Sequence, residues 1–194
     1  MSQKVGEVVE ATTTEFIAQS YELHQAPAFG SFVRASDGAI QVYGVVCHVA
    51  TTSIDPGRRP IARGKDEAYE DDVYRNNPEL PELLRTEFTA AVVGFVEGDT
   101  VRQYLPPRPP RIHSFVYGSS DGEVNAFTEK LDFLQPLVSA RMQAPVDELI
   151  AACIRHACQA RQSDRSFLVK AGKELAVLLI NDVTRLNGIL RRIR

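Results

Sequence analysis

The chain has 194 residues, 44% of them hydrophobic, and a net charge of −3. That suits one globular domain or two small ones and argues against blanket binding of polyanions. No apolar run approaches the ~20 residues that cross a bilayer, Met1 is followed by polar residues with no apolar signal core, and three cysteines form no paired framework; the expectation is a cytoplasmic protein without a membrane segment.

The first two-thirds reads as short β-branched runs between turns. Val5 to Glu10 is a predicted strand and Thr12 to Ala18 a second. Ala26 to Val33 is a turn feeding a third, and Ser36-Asp-Gly38 precedes the longest β-rich run, Ile40 to Thr51. Gly44 inside that run signals a bulge or sharp bend. Phe88 to Val96 returns to strand, Glu97-Gly-Asp99 turns, and Val101 to Leu105 pairs back as a hairpin.

Residues 55–85 interrupt this rhythm. Asp55-Pro-Gly-Arg-Arg-Pro60 is a turn, the acidic run Asp66, Glu67, Glu70, Asp71 and Asp72 reads as a solvated loop, and Glu82 to Arg85 offers one helical turn. A long excursion of this kind is usually functional or disordered. Its residues Arg58, Arg59, Asp71, Asp72, Tyr74 and Leu83 are the candidate partner surface.

Tyr104-Leu-Pro-Pro-Arg-Pro-Pro-Arg-Ile-His-Ser-Phe-Val-Tyr117 divides the chain. Its prolines hold an extended path, and Ile112 to Tyr117 reads as a closing strand. Pro106 to Arg111 also fits a pattern that polyproline-reading domains accept, but flanking strands favour a rigid crossing within the fold.

Beyond Asp121 the period changes. Val124 to Val138 is weakly helical and interrupted by Pro136. Pro145 opens an amphipathic helix whose Val146, Leu149, Ile150, Cys153, Ile154, Ala157 and Cys158 form one apolar stripe. Ser163 or Asp164 caps a last helix that runs through Leu168, Leu175, Leu179, Val183, Leu186, Leu190 and Ile193. The prediction is an α+β chain: a small closed β-barrel of about six strands over 1–118, then a three-helix module over 119–194, too small to stand alone and therefore docked on the barrel or on another subunit.

Charge is unevenly spread. Residues 1–118 carry −5, residues 119–154 −4 and residues 155–194 +6. The C-terminal cations Arg155, Arg161, Arg165, Lys170, Lys173, Arg185, Arg191 and Arg192 are candidate nucleic-acid contacts; the competing readings are a solvated helix face and complementarity of Arg191, Arg192 and Arg194 to a helix dipole.

Catalytic signatures are weak. Gly57 to Asp66 departs from a phosphate loop in glycine spacing, in an intervening proline and in an aspartate where a hydroxyl belongs. Lys170-Ala-Gly-Lys173 has no preceding strand to make a phosphate nest. Cys47 and His48, adjacent on a strand, are expected to face opposite sides. Cys153 and His156 share a helix face but lack further ligands for structural zinc. His24 and His113 lie near no Ser, Cys or Asp pattern for nucleophilic catalysis. No catalytic, cofactor or metal residue is assigned, and no small-molecule substrate.

Val5-Gly-Glu-Val, Thr14-Glu-Phe16, Pro27 to Val33, Gly44-Val-Val46 and His113-Ser-Phe-Val116 together resemble the HAS-barrel, the β-barrel shared by HerA-type DNA-translocating ATPases and the catalytic subunits of rotary ATP synthases. The resemblance covers residues 3–118. In those enzymes a P-loop motor follows the barrel; here about 75 residues with a helical pattern follow, without a Walker motif. The resemblance implies a role in joining subunits or docking a partner such as a nuclease, and transfers no catalytic residue. The expected function is that of a non-enzymatic assembly or adaptor protein acting through a protein partner or self-association, with a HerA-type ATPase or nuclease as the partner the resemblance implies and nucleic acid as the alternative partner.

Overall fold

A computed structural model describes residues 3–142 and 144–193. Seven strands are present among them: β1 (Lys4–Ala11), β2 (Glu15–Ser20), β3 (Phe32–Ser36), β4 (Gln41–Ser53), β5 (Leu84–Glu97), β6 (Thr100–Arg102) and β7 (Phe115–Gly118). All pairings are antiparallel in the order β2-β1-β7-β3-β4-β5-β6, and β2 also pairs with β5. Six strands thus close into a barrel, and β6 hangs on β5 as a hairpin. Closure leaves the barrel strands no free edge.

Two faces of burial explain the composition of the strands. Phe16, Val33, Val42, Val46, Phe88, Ala90, Val92 and Phe95 fill the barrel interior. The alternate positions Phe32, Tyr43, Val45, Cys47, Ala91 and Val93 point outward, yet they too are buried, because helices cover that wall. Gly44 lies at a register shift between β4 and β5, as its position in a β-rich run indicates. A Cβ there would come within 2.9 Å of the Ala90 side chain and 3.1 Å of the Phe16 ring.

The Pro-rich stretch crosses the barrel end. Pro106 and Pro110 are buried. Arg111 N–H donates to the Ser36 carbonyl and Val8 N–H to the Ser114 carbonyl, which leads the chain into β7. β7 is shorter than expected, because His113 turns in the left-handed region with φ of 66° and Ile112 is exposed.

Seven helices follow or interrupt the strands: α1 (Glu70–Asn76), α2 (Leu80–Leu83), α3 (Asp121–Phe127), α4 (Leu134–Ser139), α5 (Val146–Gln159), α6 (Arg165–Leu178) and α7 (Val183–Arg192). The C-terminal region therefore holds five helices among the described residues, where three were expected. The weak 124–138 helix is two, separated by the 128–133 loop; Pro136 sits in the first turn of α4, where its missing N–H costs nothing. The final helix is also two, because the Asp182 carboxylate accepts the Arg185 N–H and starts α7 afresh. Val183 is consequently exposed instead of buried.

Helix α5 is buried beyond a single stripe. Every residue from Leu149 to Ile154 is inaccessible or nearly so, since the barrel wall lies on one side and the other helices on the rest. Small residues permit this approach: Gly30, with φ of +86°, lies so near the α5 backbone that a Cβ would fall 2.4 Å from the Ala152 Cβ. Aromatic contacts complete the joint, with Tyr43 stacked on Phe127 at 4.6 Å and Phe32 edge-on to Phe133 at 5.7 Å. Helices and outer barrel wall share one continuous hydrophobic cluster.

Candidate functional site

The 54–83 excursion stands on a two-stranded arm. β4 and β5 run on past the barrel wall through the pairs Thr51↔Thr86, Thr52↔Arg85 and Ser53↔Leu84. The Asp55 carboxylate accepts the Gly57 N–H and sets the first turn. Arg63 donates to Asn77 and Glu79 at 2.8 Å each, folding the loop back on itself. Glu70, Asp71 and Asp72 are not loop but the first turn of α1, where carboxylates complement the unpaired N–H groups of a helix start. That physical reason corrects the expectation of a wholly solvated acidic loop; only Asp66 and Glu67 precede the helix.

His24 latches the excursion to the barrel. It adopts φ of 64°, its N–H donates to the Thr86 hydroxyl, and its Nε2 lies 2.9 Å from the Tyr74 hydroxyl. Thr51 and Thr86 hydroxyls join at 2.8 Å in the same cluster. Tyr74 is thus a tether more than a free contact residue. Asp72 pairs with Arg75. Arg58, Arg59 and Leu83 line a depression of about 270 Å³ together with Ile54, Ile61 and Pro60. The six candidate partner residues therefore divide between the lining of this depression (Arg58, Arg59, Leu83) and helix α1 (Asp71, Asp72, Tyr74).

Five of the eight candidate nucleic-acid contacts are engaged within the fold. Arg161 stacks on Phe167 at 4.2 Å and donates to the Asn125 and Ala157 carbonyls. Arg185 bonds Asp147 at 2.6 Å and the Val138 carbonyl. Arg192 pairs with Glu148, Arg155 donates to the Arg192 carbonyl and Lys170 to the Glu129 carbonyl. Arg165, Lys173 and Arg191 are exposed and carry no ion pair among the described residues.

A depression of about 1240 Å³ is an open groove between the barrel wall and the segment before α5. Glu15, Ile17, Phe29, Cys47, His48, Thr89, Arg141 and Met142 contribute to its lining. Cys47 and His48 both reach it, contrary to the expectation of opposite faces. The register slips between Val46 and His48, so Cys47 is the extra residue of a bulge and the alternation is broken there.

Sharing a groove does not make these two a nucleophilic pair. Burial, and secondarily the Glu15 charge, pushes the Cys47 thiol up to about 11, and its S–H donates to the Thr89 carbonyl. Cys153 is fully buried, pushed up to about 12 by burial, and donates to the Ile150 carbonyl. Burial also lowers the His156 imidazole, whose ring lies 5.9 Å from Phe32. Among the described residues, no three His, Cys, Asp or Glu side chains are grouped so as to hold a metal, and no helix is long and apolar enough to cross a membrane. Lys170 to Lys173 lies inside α6, away from any strand-to-helix turn.

Sequence reasoning missed the groove, because the register slip at Cys47 leaves no signature in the sequence and Gly44 marks a separate slip three residues earlier. It also missed the outer face of α6. The signal was there in Val169, Val177 and Ile180, β-branched residues set between the leucines. The chain matches no protein-family model and no curated protein sequence.

Proposed function

We propose that this chain is a non-enzymatic assembly or adaptor protein that works through protein–protein contacts. One observation carries the reading. After barrel and helices have saturated each other, the excursion still projects on its own arm with Ile54, Ile61, Tyr69 and Leu83 exposed around charged side chains. Exposed apolar residues gathered on one ordered projection are the chemistry of an interface. The thiols support it from the other side, being buried and held protonated where a nucleophile is needed ionised. The resemblance to the HAS-barrel points the same way, toward a HerA-type ATPase, a nuclease or another copy of the chain as partner.

Immobilised full-length protein tests this, with a second sample in which Ile54, Ile61 and Leu83 are replaced by serine. The reading expects a stable partner or self-association that the serine variant loses. A strictly monomeric species by light scattering, with nothing retained by the wild-type chain, overturns it. The nucleic-acid alternative rests on Arg165, Lys173 and Arg191 alone, and predicts binding that weakens by only about three powers of the salt concentration.

A further inference from the structure

Helix α6 has two faces. Phe167, Ala171 and Leu175 are buried, whereas Val169 and Val177 are 58% and 67% exposed, and Ile180, just beyond the helix, is 72% exposed. At 100° per residue, Arg165, Val169, Lys173 and Val177 fall within a sector of ~120°, opposite Phe167, Ala171 and Leu175. Two of the cations without an ion pair, Arg165 and Lys173, therefore share the face that exposes the aliphatic side chains.

The excursion offers the opposite. Tyr69 is 76% exposed, beside Asp66, Glu70 and Asp71, none of which carries an ion pair among the described residues. Ile61, 75% exposed, lies in the same loop. Tyr69, Ile61 and Ile180 are the most exposed large hydrophobic residues described; Tyr69 sits among carboxylates without ion pairs, whereas Ile61 shares its depression with Arg58, Arg59 and Arg63 and Ile180 follows α6 just before Asp182.

We propose that the chain associates head to tail, with the basic, aliphatic face of α6 on one copy seated against the acidic segment around Tyr69 on the next. The inference rests on the assembly reading above and names its partner as a second copy. Charge decides the arrangement. A two-fold pairing of α6 with itself sets Arg165 and Lys173 against each other or against their own copies, and like charges in contact are strongly disfavoured. Head-to-tail contact joins unlike charges and buries both apolar sets. Nucleic acid suits this face less well, since Val169 and Val177 give a phosphate backbone nothing to bind. A head-to-tail contact uses different patches on its two sides, so repetition yields a ring or an open filament.

Two full-length variants test the pairing. In one, Val169→Ser and Lys173→Ser alter α6; in the other, Tyr69→Ser and Asp71→Lys alter the excursion. All four positions are exposed, and circular dichroism and thermal unfolding check that both variants fold. Sedimentation at low salt is expected to show wild-type species heavier than the 21.5 kDa chain, dissociating as salt screens the charges. Each variant alone is expected to weaken association at least ~tenfold, a loss of about 1.4 kcal/mol. An equimolar mixture is expected to stop at the dimer, because each variant keeps one intact patch that fits the other's.

Variants that associate as the wild type does overturn this interface while leaving assembly through another face intact. Monomeric variants whose mixture also stays monomeric overturn the head-to-tail arrangement. A wild-type chain that is monomeric at all concentrations overturns the inference outright, and the assembly reading then stands or falls on a different captured protein. So does a wild-type chain that shows only DNA binding sensitive to the α6 variant.

Discussion

At Gly30 the left-handed backbone and the near contact with α5 occur in one residue. Alanine there strains the φ of +86° and drives a Cβ into Ala152, so Gly30→Ala is expected to cost about 2–4 kcal/mol in urea unfolding. Asp37 is a second residue with a disproportionate role. Its side chain is 2% exposed, and its carboxylate accepts the Ala39 and Ile40 N–H groups at 2.7 and 2.8 Å and the Arg108 Nε–H at 3.1 Å. Burial alone raises such a carboxyl, but the Ile40 and Ala39 N–H bonds and the Arg108 charge outweigh it and leave it below its ordinary value. The folded pKa thus lies below the unfolded one. Asp37 stabilises the fold above pH ~4, and that contribution is lost as the pH falls through the lower folded value. Asp37→Asn is expected to be less stable than wild type at pH 7 and to show a shallower loss between pH ~5 and ~2. Parallel acid titrations of the two proteins, monitored by unfolding, check it; superimposable slopes would refute this role.

At the scale of elements, legibility followed period. Strands with interior and solvent sides were readable from alternation and turn residues, as were the Gly44 bulge and the Pro-rich crossing. The closed barrel of an α+β chain was therefore foreseeable. The helix count was not. A cap such as Asp182 interrupts a three- and four-residue repeat without disturbing the repeat itself, so Leu179 to Ile193 read as continuous. Buried positions of α5 beyond its stripe, notably Ala151 and Ala152, depend on what packs against them and leave no trace in periodicity. The candidate residues fared similarly: that positive charge gathers in residues 155–194 was readable, but not that Arg161 would be consumed by carbonyls or Arg185 by an aspartate and a carbonyl.

The shared core carries its own prediction. A fragment ending at residue 118 exposes Phe32, Tyr43, Val45, Cys47, Ala91 and Val93, all buried under helices in the full chain. At roughly 1.5–3 kcal/mol for each large apolar side chain covered, that wall is expected to leave the fragment aggregated or without a cooperative melt. Expression of the fragment beside the full chain decides it; a soluble fragment with a sharp thermal transition would show that the barrel folds independently.

For the whole molecule, one wall of a closed barrel is sealed by helices, while an ordered excursion and the outer side of α6 remain uncovered with opposite charge. Neither half has apolar surface to spare for the other, so the remaining exposed residues face outward, where the proposed contact with another chain has its surface. The most direct measurement is the native mass of the complex that contains this chain in a cell extract, with its co-purifying chains identified and counted. The account predicts a mass well above 21.5 kDa, made up of several copies of the chain or of the chain with a stoichiometric partner. A single species at 21.5 kDa, accompanied by nothing, would contradict it.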